Sequence, residues 1–175
     1  MKTSIKLLSA IALVVASASA SAASFSFNFT DGTNAGNFSL NTTNISVGTE
    51  WATTGTLNVT GGVDTGTYTL VALGPTSTTP SPGAFSADNV VYTAGNPYLD
   101  NSGLLFASDT LGTLPQINIY GNGANNLYSF WSYVNGGYNV GSDNVTLTAT
   151  PIPAAIWMVG SALAGAFGFM RRKLA

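Results

Sequence analysis

Apolar residues recur at every second position through most of this chain, and that period predicts strands rather than helices. Ser24 to Phe29 alternates with Phe25, Phe27 and Phe29 on one face. Thr56 to Thr60 places Leu57 and Val59 together, and Thr67 to Leu73 sets Tyr68, Leu70 and Ala72 opposite Val71 and Leu73. Asn89 to Tyr92, Gly103 to Ala107 and Gln116 to Tyr120 read as further short strands. Leu127 to Val134 is apolar or aromatic on both faces, the pattern of a central strand covered on both sides, and Val145 to Ala149 is the last strand. Turn residues separate these runs at Asp31-Gly32, Gly61-Gly62, Asn122-Gly123 and Asn135-Gly136-Gly137, while Pro75 to Gly83 is too rich in proline to join a sheet. About eight short strands with such spacing predict an all-β domain, a β-sandwich or jelly-roll-like fold.

The two ends break the alternation. At the N-terminus, Lys2 and Lys6 precede an apolar run from Leu7 to Ala16, and small residues follow through Ala20 and Ala22. Charge, apolar stretch and A-x-A pattern together make residues 1–22 a signal peptide cleaved after Ala22, with Ala20 and Ala22 as the small residues of the site. Its apolar run covers about 15 Å of helix, half the thickness of a bilayer core. At the C-terminus, Pro151-Ile152-Pro153 leads into an uncharged run from Ala154 to Met170, and Arg171, Arg172 and Lys173 follow at once. That run makes about 25 Å of helix against a hydrocarbon core of about 30 Å, enough to span with flanking adjustment. The basic cluster stays cytoplasmic by the positive-inside rule, which leaves residues 23–150 on the far side of the membrane. The prolines are expected to stop any strand before the span.

The tail resembles a PEP-CTERM sorting signal, the segment read by exosortases in Gram-negative bacteria. It is most similar to the variant running Val-Pro-Leu-Pro-Ala-Ala-Val-Trp with a Gly-Ser pair shortly after. Pro151, Pro153, Ala154, Ala155 and Trp157 stand at the matching positions, as do Gly160, Ser161 and the basic end at Arg171, Arg172 and Lys173. Thr150 and Ile152 depart from the usual Val and Leu. The resemblance implies an exosortase-type membrane enzyme as partner, a transient membrane anchor through the C-terminal helix, and residence at the cell surface or in an extracellular polysaccharide matrix. It covers the segment 151–175 and names a route, not an activity.

Charge narrows the chemistry of the exported segment. All five basic residues lie in the two targeting segments, so residues 23–150 carry the seven carboxylates and no counter-ion: Asp31, Glu50, Asp64, Asp88, Asp100, Asp109 and Asp143. Such a domain cannot neutralise a phosphate backbone, which excludes nucleic acid as a partner. With neither His nor Cys in the chain, Ser-His-Asp and Cys-His nucleophiles and ordinary zinc sites are excluded as well. Two carboxylates could still flank a sugar, with Glu50 beside Trp51 the pair to examine first. No cofactor is expected. Ca²⁺ is the one metal left open, at Asp31 to Asn34 or Asp100 to Gly103, although both segments lack the spacing of a calcium loop and read as turns.

The expected function is that of a non-enzymatic exported protein associated with polysaccharide. The alternative is a carbohydrate-binding module that stacks sugars on Trp51, Tyr133 and Tyr138. Trp131 is expected inside, because aromatics at period two are core residues in most sheets. Six Asn-x-Ser/Thr triplets begin at Asn28, Asn37, Asn41, Asn44, Asn58 and Asn144, and read as a by-product of Asn and Thr abundance.

Overall fold

Alternation in the sequence becomes nine antiparallel strands in the computed structural model, which describes residues 23–62, 64–79, 84–93, 97–123 and 127–152. The expected signal peptide at residues 1–22, and the tail from Pro153 onward with the helix expected at 154–170 and the basic end, lie outside the described residues. The strands are β1 (Ala23–Thr30), β2 (Ala35–Ser46), β3 (Thr49–Gly61), β4 (Gly66–Leu70), β5 (Val90–Tyr92), β6 (Leu104–Ala107), β7 (Gln116–Gly121), β8 (Tyr128–Val134) and β9 (Gly137–Ile152). The described residues contain no helix.

The all-β expectation holds, but the sandwich is corrected to a closed barrel. Hydrogen bonding runs β1-β2-β3-β4-β6-β7-β8-β9 and returns to β1, with β5 added beside the start of β3. Closure depends on β2, a strand the alternation of apolar residues did not predict. It has only Phe38 and Leu40 as large inward residues, yet it pairs with β1 from Ala35 to Thr42 and with β3 as far as Ser46. With β2 bonded on both sides, no free edge separates two sheets, and the ring closes.

An eight-stranded barrel is narrow enough to be filled by its own side chains. Phe27 stacks on Phe38 at 4.7 Å and Phe29 on Phe130 at 5.4 Å, while Phe38 meets Phe106 at 5.8 Å. Leu40, Leu57, Leu70, Leu104, Ile117, Ile119 and Val145 complete this interior. A second, smaller apolar cluster lies outside β6, where the segment after β4 folds back and Val71, Leu73 and Ala87 cover Leu105 and Ala107.

β8 and β9 are joined by the two-residue turn Asn135-Gly136, both at positive φ (51° and 87°), which suits the right-handed twist of a hairpin. β9 pairs with β8 as far as Val145 and with β1 from Thr146 to Ile152. It therefore runs through Pro151 to Ile152, short of the span expected from Ala154. Beyond Val145 only the β1 side of β9 is paired, and a proline is tolerated where one edge needs no ladder bond.

The narrowest seam of the barrel lies between β4 and β6, which share only the pairs Thr69–Ala107 and Leu70–Phe106. Asn89 closes the gap beyond them. Fully buried and at φ 55°, it donates its main-chain N–H to Gly103 O (3.0 Å) and accepts from Ala52 N (2.8 Å). Its side chain donates to Val71 O at 2.8 Å and accepts from Leu105 N at 3.1 Å. Replacing it by alanine strands two buried backbone groups, so Asn89→Ala should lose roughly 2–4 kcal/mol in urea unfolding of the purified protein. Asn144→Ala, on the exposed outer face, should stay within about 0.5 kcal/mol.

Candidate functional site

Outward-facing positions of four neighbouring strands, β1 to β4, carry Ser, Thr and Asn in register. Asn28 faces Asn37, which faces Asn58, which faces Thr67; one step along, Ser26, Ser39, Thr56 and Thr69 line up in the same way. The side chains bond across strands: Asn58 donates to Asn37 at 3.3 Å, Thr67 to Asn58 at 2.9 Å, Ser24 to Asn41 at 2.9 Å and Asn41 to Thr54 at 3.1 Å. A groove of about 290 Å³ crosses this face, lined by Ser39, Asn41, Thr54, Thr56, Thr69 and Thr110 among others, with no carboxylate in its lining.

A different surface forms on β8 and β9. Trp131 and Tyr133 point outward from β8 and are half-buried, and Tyr138 on β9 is 60% exposed. Tyr138 meets Tyr133 at 5.3 Å, Phe85 at 5.5 Å and Trp131 at 6.2 Å, each edge to face, and its hydroxyl donates to Ala84 O at 2.8 Å. The Trp131 indole lies against Gly141, its register partner; a β-carbon there would fall 2.0 Å from the ring, so no side chain fits. The Trp131 Nε1–H donates to Asp143 Oδ1 at 3.2 Å, and Ser129 donates to the same oxygen at 2.7 Å. Trp131 is thus not a core residue as expected. The inward face of β8 is taken by Tyr128, Phe130 and Ser132, and period two sends Trp131 out.

Of the three residues expected to stack sugars, the fold brings together two. Tyr133 and Tyr138 are a cross-strand pair, whereas Trp51 sits on β3, four strands from β8 in either direction around the ring. Trp51 is half-buried, and its Nε1 is shielded from water with no hydrogen-bond partner among the described residues. Glu50 does not share a face with Trp51. It points inward with Val91, its register partner, and accepts a hydrogen bond from the buried Thr42 hydroxyl. Pro151 and Ile152 of the expected sorting motif lie in β9, opposite Phe25 and Ser24; the other residues expected in that motif lie outside the described residues.

The calcium candidates are turns. Asp31 accepts from the backbone of Thr33 (2.8 Å) and Asn34 (2.6 Å) and from the Asn34 amide, and Asp100 Oδ1 accepts from Ser102 N and Gly103 N. Among the described residues no three acidic groups gather around a common point. Burial acts to raise the Asp31 carboxyl, but bonds from Asn34, Thr33 and Ser142 outweigh it and hold it below the ordinary value.

Asp88 and Asp100 form a pair that sequence spacing did not reveal. Asp88, 9% exposed, accepts from Val90 N, and Tyr92 donates to Asp100 Oδ2 at 3.3 Å. Burial pushes the Asp88 carboxyl up; the Val90 N–H pulls it back, and the charge and hydrogen bond of Asp100 push it further up. Burial and the charges of Asp100 and Asp88 also raise the Tyr92 hydroxyl.

A carboxyl raised by folding is held best when protonated. Its contribution is complete below the ordinary Asp range and is lost as pH rises through the folded value. Asp88→Asn keeps an acceptor for Val90 N and removes the charge. The variant should be more thermostable than the native chain at pH 7, with the difference shrinking by pH 3, as thermal unfolding across that range will show. Comparison with family models, with curated proteins and with solved structures finds no match for this chain.

Proposed function

We propose that this chain is an exported, non-enzymatic protein of the cell surface or extracellular polysaccharide matrix, delivered by its signal peptide and sorted through a PEP-CTERM-like tail by an exosortase-type membrane enzyme. The observation that carries the reading is how the first and last described strands pair. β1 (Ala23–Thr30) follows the expected signal peptide in sequence, and β9 runs into the proline motif at Pro151-Ile152. Ser24 and Ile152 are register partners, so both targeting segments join the barrel at one end, on neighbouring strands. A domain attached in this way keeps its remaining surface, including the uncharged Ser/Thr/Asn face, free for contact with hydroxyl-rich matrix. Cleavage near Pro151–Pro153 falls where β9 has lost β8 as a neighbour, so it trims one strand end without opening the ring.

A second reading, a carbohydrate-binding module, is favoured by the exposed Tyr138 beside Tyr133. Intact mass and fractionation of the protein from its native host test the first reading. A membrane-free species that begins at Ala23 and ends near Pro151 is expected. Replacing Pro151 and Pro153, or Arg171 to Lys173, by alanine should leave most of the chain membrane-bound and unprocessed. Normal release of either variant overturns the sorting route.

A further inference from the structure

The geometry points to a binding site for a neutral polysaccharide on the outer face of the β8–β9 hairpin, built from Trp131, Tyr138 and Asp143. The inference takes its ligand class from the matrix reading above, and its residues from the structure alone.

Three observations converge there. The first is aromatic surface kept rigid at the exterior. Tyr138 is held edge to face by three rings and tied through its hydroxyl to Ala84 O, yet remains 60% exposed. An aromatic ring already fixed in place loses little entropy when a ligand stacks on it. Its negative π face suits the weakly positive C–H groups of a pyranose ring. Trp131 stands at 82° to Tyr138, so the two half-open rings make a corner rather than a flat patch.

The second is a carboxylate with one oxygen spare. Asp143 Oδ1 takes the bonds from Ser129 and Trp131, which fixes the group beside the indole, while Oδ2 accepts no hydrogen bond among the described residues. A carboxylate oxygen next to a stacking ring is an acceptor for sugar hydroxyls. The third is charge. The charged side chains of residues 23–150 are all acidic, so a polymer of uronic acids or sulfated sugars would be repelled and a neutral one would not. Gly141 acts as a positioning residue, because its missing side chain is what lets the indole lie against β9.

Calorimetric titration of the full chain, purified in a detergent without a sugar headgroup, tests the site. The probes are cellohexaose, laminarihexaose, maltohexaose and mannohexaose, with hexagalacturonate as the anionic comparison. At least one neutral hexasaccharide should bind in preference to hexagalacturonate. Trp131→Ala and Tyr138→Ala should each weaken that binding by at least about tenfold. Trp51→Ala, on the opposite wall of the barrel, should leave it unchanged. Asp143→Asn, which retains acceptor geometry at one oxygen, carries the test if a ring variant fails to fold, and should weaken binding by several-fold. Absence of binding to all four neutral probes overturns the site, as do equal binding of hexagalacturonate, native affinity in Trp131→Ala, or an equal loss in Trp51→Ala. Failed processing of the tail with intact sugar binding would overturn the sorting route and leave this site standing; the reverse result would do the opposite.

Discussion

Four hydrogen bonds through one buried asparagine hold the barrel where its strands are shortest. β4 and β6 share two register pairs, and β5 touches β3 over three. Between them Asn89 substitutes for a missing stretch of ladder, giving its main chain to Ala52 and Gly103 and its amide to Val71 and Leu105. The residue must accept positive φ, supply a donor and an acceptor at once, and be small enough to bury completely. Asparagine meets all three demands, since its short amide mimics a peptide group and it tolerates the left-handed region better than most residues. An aspartate in its place would lack the donor for Val71 and bring a charge into a site with no counter-ion. Continuous closure matters because this chain has no disulfide and no salt-bridging base within the barrel, so burial and hydrogen bonding hold the fold together.

Inside and outside of the barrel are two readings of the same alternation. The six Asn-x-Ser/Thr triplets show it most plainly. In five of them the middle residue (Phe29, Phe38, Thr42, Val59 or Val145) is buried, and the flanking Asn and Ser/Thr lie outward on one strand face. What reads as an abundance of Asn and Thr is therefore the polar half of a period-two pattern. Followed from its polar side, that pattern would have found β2 and the first half of β3, which a search for apolar alternation missed. β2 was missed because its register needs only Phe38 and Leu40 as large apolar anchors, and its long polar remainder gains stability from pairing on both edges rather than from burial.

The candidate site was legible in part for a related reason. Tyr133 and Tyr138 flank a tight Asn-Gly turn, so hairpin register makes them neighbours whatever the rest of the fold does. Trp131 read as a core residue because both faces of its strand look apolar; the barrel has one interior, and Tyr128 and Phe130 occupy it. Trp51 and Tyr138 are both accessible aromatics, but the order of strands around the ring places them on opposite walls. The Asp88–Asp100 pair shows the same limit from the acidic side, since eleven intervening positions in sequence conceal an electrostatic interaction that depends on how β5 and β6 come together.

Local periodicity by itself determined that the described residues are all-β, where most of their strands and turns lie, and which side chains of each strand share a face. It also fixed the inventory of residues 23–150, whose charged side chains are all carboxylates and which hold no Lys, Arg, His or Cys. These properties depend on neighbours one or two residues apart, so sequence carries them in full. Tertiary structure decided that the strands close into a barrel instead of stacking as two sheets, that Asn89 bridges the seam, and that Trp131 joins Tyr138 and Asp143 outside while Trp51 stands apart. Those outcomes rest on pairings between residues far apart in the chain. Alternation states which face a residue takes, and only strand order and register state which residues it will meet there.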